Sequence, residues 1–137
     1  MDTPSGFTVR PALGGFHNLI GPFYLAGELS DRRYGFRVDE RHTNPPGNIH
    51  GGLLMALMDM VLTTTIYETL DRRIPVSTVS LNCDFLAGVK PGDWVEGKGR
   101  ITRQTASLAF LRGELSVNGE AVMAASGVWR VFTKAAG

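Results

Sequence analysis

The sequence predicts an α+β fold, with one long central helix wrapped by a curved antiparallel sheet of about five to six strands. Three observations carry that prediction. From Gly51 to about Thr69 the residues are mostly strong helix formers (Leu, Met, Ala), and no proline intervenes between Pro46 and Pro75. Leu53, Leu54, Leu57, Met58, Val61 and Leu62 cover most of that helix's circumference, so other elements must surround it. Roughly four long extended segments follow, and one sheet covers a helix on so many sides only by curling.

The elements follow in order along the chain. "PALGGFHNLIGP" predicts a short helix between its proline and glycine marks. "FYLAGELS" and "RYGFRVDE" read as short strands; in the second, Tyr34, Phe36 and Val38 alternate with Gly35, Arg37 and Asp39. After the helix, "VSTVSLNCDFL" alternates, placing Val79, Leu81, Cys83 and Phe85 on one face and Thr78, Ser80, Asn82 and Asp84 on the other. "VKPGDWV" turns into the strand "WVEGKGRITR". "LAFLRGELSV" and "EAVMAASGVWRVF" flank Asn118-Gly119, the pair that supplies positive φ at both centres of a type I′ hairpin turn. Gly97, Gly99, Gly113, Ala124, Ala125 and Gly127 leave room for curvature and close packing. With no repeat or linker, residues 1–137 read as one domain with its core at about 22–134.

Composition excludes several classes. At 43% hydrophobic and 20% charged the chain is neither disordered nor fibrous. Fourteen basic against thirteen acidic residues give no basic excess for nucleic acid. A single cysteine, Cys83, makes neither an internal disulfide nor a cysteine-rich zinc site. It reads as a small core residue, and Trp94 and Trp129 as sheet packing. His17, His42 and His50 match no metal-ligand spacing. "MDTPSGFTVRPALGG" lacks the apolar core of a signal peptide, and the run Leu53–Leu62, broken by Asp59, falls short of the ~20 residues of a membrane span. The cytosol is the expected compartment, with no membrane partner.

One residue in the central helix needs explaining. Asp59 sits among apolar side chains, where an unpaired carboxylate is costly to bury. Thr63, four residues on, shares its face. The helix begins at His50-Gly51-Gly52, where free N–H groups and the dipole favour developing negative charge. The plain alternative is a polar residue on a narrow exposed strip. The chemical one is an acid that attacks an electrophile or activates water, with the helix start polarising a carbonyl. Eight residues separate Gly51 from Asp59, ~12 Å along the axis at 1.5 Å per residue. A reacting carbon must lie within about 3–3.5 Å of its attacker. Both parts act on one carbonyl only if the acid comes from a second, antiparallel copy of the helix, in a two-fold dimer with two shared sites.

Asn44-Pro45-Pro46-Gly47-Asn48-Ile49-His50-Gly51-Gly52, with Asp59 seven residues on, matches N-x-x-G-x-x-H-G-G-x(6)-D at every fixed position. The stretch resembles the signature of hotdog-fold thioesterases of the PaaI type, which include the human acyl-CoA thioesterase branch. The resemblance implies a hotdog fold, a homodimer with a continuous double-width sheet, and often a dimer of dimers. It implies hydrolysis of an acyl- or aryl-acyl-CoA to the free acid and CoA, with no cofactor beyond the CoA of the substrate. Asp59 would be nucleophile or general base, Gly51 would donate its N–H to the thioester oxygen, and Asn44 would place thioester or water. His50 would shape the site, and Thr63 would help hold the water. Relatives carry a further hydroxyl on the strand after the helix, for which Ser77, Thr78 and Ser80 stand open, Thr78 being preferred. The paired prolines stiffen the Asn44 loop.

Gly52, Arg72 and Arg103 are the candidates for holding substrate; for the arginines, as for Arg73, Lys90 and Arg100, the reason is that CoA phosphates need cations and arginine binds phosphate bidentately, and the plain alternative is solvated surface. Two other functions fit the same fold class: an acyl-thioester hydratase or dehydratase, and a non-catalytic acyl-CoA-binding protein. The spacing from His50-Gly51-Gly52 to Asp59 argues against the first, and the intact set Asp59, Asn44 and Gly51 against the second.

Overall fold

A computed structural model describes residues 1–11, 14–70 and 74–132, Ser30 by its backbone alone. The strands are β1 (Thr8–Val9), β2 (Tyr24–Ala26), β3 (Arg33–Arg37), β4 (Val76–Phe85), β5 (Trp94–Gln104), β6 (Leu108–Val117) and β7 (Glu120–Val131). The helices are α1 (Gly15–Ile20) and α2 (Gly51–Thr69), with single 3₁₀ turns at Leu29–Asp31 and Glu40–His42. All seven strands join one antiparallel sheet in the order β1-β2-β3-β5-β6-β7-β4. Seven exceeds the expected five to six because β1 is only two residues long, too short for any periodicity to register. Otherwise the predicted helix and strands stand where the pattern placed them. Val117 faces Glu120 across Asn118 (φ 50°) and Gly119 (φ 82°), the two-residue hairpin that Asn-Gly predicts.

The core lies between α2 and the concave face of the sheet. Leu53, Leu54, Leu57, Met58, Met60, Val61, Leu62 and Ile66 are buried on the helix, against Val95, Leu111, Leu115, Met123 and Trp129 on the strands. The helix can lie this close because glycines sit beneath it. A Cβ on Gly113 would come within 2.8 Å of Leu62 Cδ2 and 2.9 Å of Met58 Sδ, and Gly99, its cross-strand partner, also abuts Leu62. Both Leu62 and Met58 are fully buried, so neither can swing aside. Gly113→Val should therefore overpack this contact and cost about 1–3 kcal/mol, measured as a lower urea midpoint with unchanged slope.

One stripe of α2 escapes the sheet. Gly52 and Met55 are exposed, and Asp59 and Thr63, continuing the same line at helical spacing, are half-buried. The strand beside it is β4, hydrogen-bonded to β7 on one side only. It leaves Val79 62%, Phe85 52% and, just beyond its end, Leu86 55% exposed. A long edge strand carrying this much apolar surface is a template for pairing with another chain.

The face assignment along β4 requires a correction. Thr78 pairs with Trp129 and Ser80 with Val128, so Val79 is the extra residue of a β-bulge. The bulge reverses the alternation, putting Thr78 on the same face as Leu81 and Cys83 and leaving Val79 exposed. Strict period two along β4 would instead put Thr78 with Ser80 and Val79 with Leu81.

Candidate functional site

The start of α2 is held by a chain of hydrogen bonds leading from the buried His42. Its Nδ1 accepts from the Asp39 N–H at 2.9 Å and its Nε2 meets the Ile20 carbonyl at 2.9 Å. Both ring nitrogens are thus engaged, which leaves neither for a metal. The His42 carbonyl in turn accepts the His50 N–H at 2.8 Å. The Asn44–Asn48 loop closes through Asn44 N–H to the Asn48 carbonyl at 2.9 Å, and the Ile49 N–H donates to Val89 at 2.9 Å. The loop that carries Asn44 is thus pinned at both ends, beyond any stiffness from Pro45 and Pro46.

His50 is the N-cap of α2, its Nδ1 accepting the Gly52 N–H at 2.8 Å. This role divides the glycine pair. Gly52 spends its N–H on the cap, and a Cβ there would lie 2.8 Å from His50 Nδ1, so Gly52 contributes room rather than a donor. Among the described residues no acceptor takes the Gly51 N–H, which stays at the positive end of a 19-residue helix dipole. The Phe85 ring flanks that position, 3.0 Å from where a Gly51 Cβ would stand.

Two turns further along, Asp59 is half-buried and accepts a hydrogen bond from Thr78 Oγ1 at 2.6 Å. Of the three strand hydroxyls left open by the sequence, Thr78 is the one that reaches the acid, and the bulge at Val79 is what turns it inward. Thr63 Oγ1 accepts from Trp129 Nε1 at 2.9 Å, which leaves its own proton to donate toward the space beside Asp59. Trp129, read from sequence as packing alone, also orients this hydroxyl. Burial, then the charges of Asp84 and Asp59, push the Cys83 thiol above its ordinary value, so it is kept protonated and unreactive. Hydrogen bonds to a charged group contribute about 1.5–3 kcal/mol. Thr78→Val should accordingly loosen the Asp59 carboxylate and lower the turnover rate by about ten- to a hundredfold, with the Michaelis constant little changed.

The predicted residues therefore fall into two groups. Asn44, His50, Gly51 and Gly52 stand at the start of α2; Asp59, Thr63 and Thr78 stand together about 12 Å further along its axis. Arg103 joins neither: it is exposed near the end of β5, and its row runs through Phe110 and Val128 to Ser80, three strand spacings or ~14 Å away. Arg72 lies outside the described residues. A pocket of about 560 Å³ opens beside Asp59 and Thr63 and runs along α2 past Tyr67 and Glu68, closed on the other side by Arg10 and His17. The polar series Asp59, Thr63, Tyr67 at four-residue spacing could have pointed to this groove from sequence; nothing in the sequence pointed to Arg10. No helix among the described residues is long and apolar enough to cross a membrane.

A family model described as the thioesterase superfamily matches residues 46–124. A Pseudomonas aeruginosa protein, PA0474, provisionally named an esterase, is 31% identical over 132 residues, covering 96% of this chain and 98% of that one. Mouse acyl-coenzyme A thioesterase 13 is 32% identical over 80 residues, 58% of this chain and 56% of the relative. Among solved structures, a provisionally named thioesterase of Ralstonia eutropha JMP134, related to phenylacetic acid degradation, superposes with a TM-score of 0.71. It is 26% identical, over 92% of this chain and 85% of its own.

Proposed function

We propose, for a chain that belongs to the thioesterase superfamily and is a thioester hydrolase of the hotdog fold, that its substrate is an acyl-CoA and that two copies build each site. The observation that carries this reading is the placement of two half-sites on one helix. The Gly51 N–H and the Thr78-bound Asp59 carboxylate lie too far apart to act on one carbonyl from one chain. An antiparallel pairing of two helices brings Asp59 of one copy to Gly51 of the other. The exposed edge of β4, with Val79 and Phe85, and the uncovered stripe through Met55 supply surface for such a pairing.

The chemistry then follows from the groups present. The Gly51 N–H and the α2 dipole draw charge onto the thioester oxygen as the carbonyl carbon becomes tetrahedral. Asp59 takes a proton from a water that Thr63 helps to hold, and the water oxygen bonds to the carbonyl carbon. Collapse of that intermediate breaks the carbon–sulfur bond, leaving a carboxylic acid and the CoA thiolate, which takes up the proton. Asp59 attacking the carbon directly, through an anhydride, balances equally well. The Asn44 loop borders the Gly51 end, where it can orient thioester or water.

A free-thiol assay across straight-chain and aryl acyl-CoAs tests the reading. Release of CoA from at least one class, at a rate proportional to dimer concentration, is the expected result. No release from any acyl-CoA by folded, dimeric protein would overturn the choice of substrate.

A further inference from the structure

A threonine within a helix has an ordinary resting place for its hydroxyl, the carbonyl one turn back. Two threonines of α2 use it. Thr65 Oγ1 donates to the Val61 carbonyl at 2.8 Å, and Thr69 Oγ1 to the Thr65 carbonyl at 2.7 Å. Thr63 departs from them. Its oxygen accepts the Trp129 indole N–H at 2.9 Å, and among the described residues its hydroxyl makes no bond to the Asp59 carbonyl one turn back. The indole that holds it is itself locked. Trp129 is 0% exposed, and its six-membered ring lies against Gly127, where a Cβ would stand 2.6 Å from Cζ3 and 2.8 Å from Cη2. A ring packed this tightly cannot turn to withdraw its N–H. Thr63 and Asp59 both line the pocket of about 560 Å³, whereas Trp129 does not reach it and touches it only through Thr63.

We propose that Trp129 is a positioning residue for the hydrolysis: its indole N–H keeps the Thr63 hydroxyl off the Asp59 carbonyl and turned to the pocket, where that hydroxyl holds the attacking water. This rests on the thioesterase reading above and adds to it the group that aims Thr63. The choice is between two settings of one hydroxyl. Turned back along the helix, Thr63 would spend its proton on the Asp59 carbonyl, as Thr65 and Thr69 spend theirs. Held by the indole, it spends one lone pair and keeps its proton and a second lone pair for water. Thr63 shares a helix face with Asp59 at four-residue spacing, so a water bound to the one lies within reach of the other. Water enters both routes, attacking the thioester in one and the anhydride in the other. The role of Trp129 is therefore the same whichever route Asp59 follows.

The test is a double-mutant comparison on an acyl-CoA that the wild type hydrolyses. Trp129→Phe, which removes the N–H and keeps an aromatic ring, should lower kcat about tenfold with the Michaelis constant little changed. Made in a Thr63→Val background, the same substitution should cost about twofold or less, because the hydroxyl it aims is gone. In a Thr78→Val background it should keep its cost of about tenfold. Thr78 is the cross-strand partner of Trp129 and donates to Asp59, so a general disturbance of β4 and β7 would travel through it instead. Trp129→Phe also leaves a cavity in the core. The companion variant is Trp129→benzothienylalanine, in which sulfur replaces the N–H within the same ring shape; it should give the same pattern, and it decides alone if Trp129→Phe does not fold. Equal costs in the wild-type and Thr63→Val backgrounds would overturn the assignment and return Trp129 to packing, as would full activity of the companion variant. Absence of turnover by the wild type on every acyl-CoA would overturn the substrate reading and this assignment with it, whereas equal costs in an active enzyme overturn the assignment alone.

Discussion

Asp59→Asn should lower the turnover rate by a factor of roughly 10²–10⁴, the range expected when a positioned general base is lost. Asparagine has the size of aspartate and its carbonyl can still accept the Thr78 hydroxyl, so the contact that holds the side chain survives. What disappears is the negative charge and with it both possible roles, proton acceptor and nucleophile. Because the residue is half-buried between the apolar Met58 and Met60, a neutral replacement should leave thermal stability unchanged or raise it. The expected signature is therefore a collapse of activity in a protein that still folds and assembles, read by CoA release beside calorimetry and sedimentation. Near-normal turnover in Asp59→Asn would remove the acid from the chemistry and return it to the exposed-strip alternative. A single turnover in oxygen-18 water divides the two routes: label appearing in Asp59 supports direct attack, and label confined to the product acid supports general-base catalysis.

Gly51→Pro should cost about 10²–10³ in turnover, the effect of deleting one oxyanion donor. The substitution is unusually clean. Gly51 is the first residue of α2, the helical position where proline is best tolerated, since its missing N–H has no intrahelical partner there. His50 already has the extended backbone that proline demands of the residue before it, φ −62° and ψ 130°. The ring would press on Phe85, a half-exposed side chain that can move. Helix and cap thus remain while one hydrogen-bond donor is removed. Gly51→Ala is the companion control, because it adds a similar contact with Phe85 and keeps the N–H; it should retain most activity. Equal losses in both would mean that crowding, not the donor, is responsible.

Much of this site is legible in the sequence because its parts are local. The motif from Asn44 to Asp59 is contiguous, begins a helix whose ends are marked, and places the two half-sites by helical rise alone. Asn118-Gly119 fixed the last hairpin in the same local way. What the sequence hid is tertiary. The bulge at Val79 arises from a register shift between β4 and β7, and no pattern within β4 announces it; strict alternation assigns Thr78 to a face it does not occupy, and the bulge is what turns it to the acid. The resemblance gives His50 the shaping of the site; that its ring does so as the helix cap is visible only once Nδ1 is seen 2.8 Å from the Gly52 N–H. Arg10 arrives at the pocket from 54 residues away in the chain to meet Thr64, a distance over which a single sequence carries no signal. The two-residue β1 escaped for the opposite reason, being too short for any period to show.

The claim that each site is shared by two copies is tested most directly by a mixed dimer of Asp59→Asn and Gly51→Pro chains, purified through two different tags. In such a dimer one site carries both lesions, and the other draws an intact Asp59 from the Gly51→Pro chain and an intact Gly51 from the Asp59→Asn chain. The shared-site account predicts that the mixed dimer recovers about half of wild-type activity, from two nearly inactive parents, because one of its two symmetric sites is whole. A mixed dimer as inactive as either parent would contradict it, since that is the result when Gly51 and Asp59 of the same chain must act together.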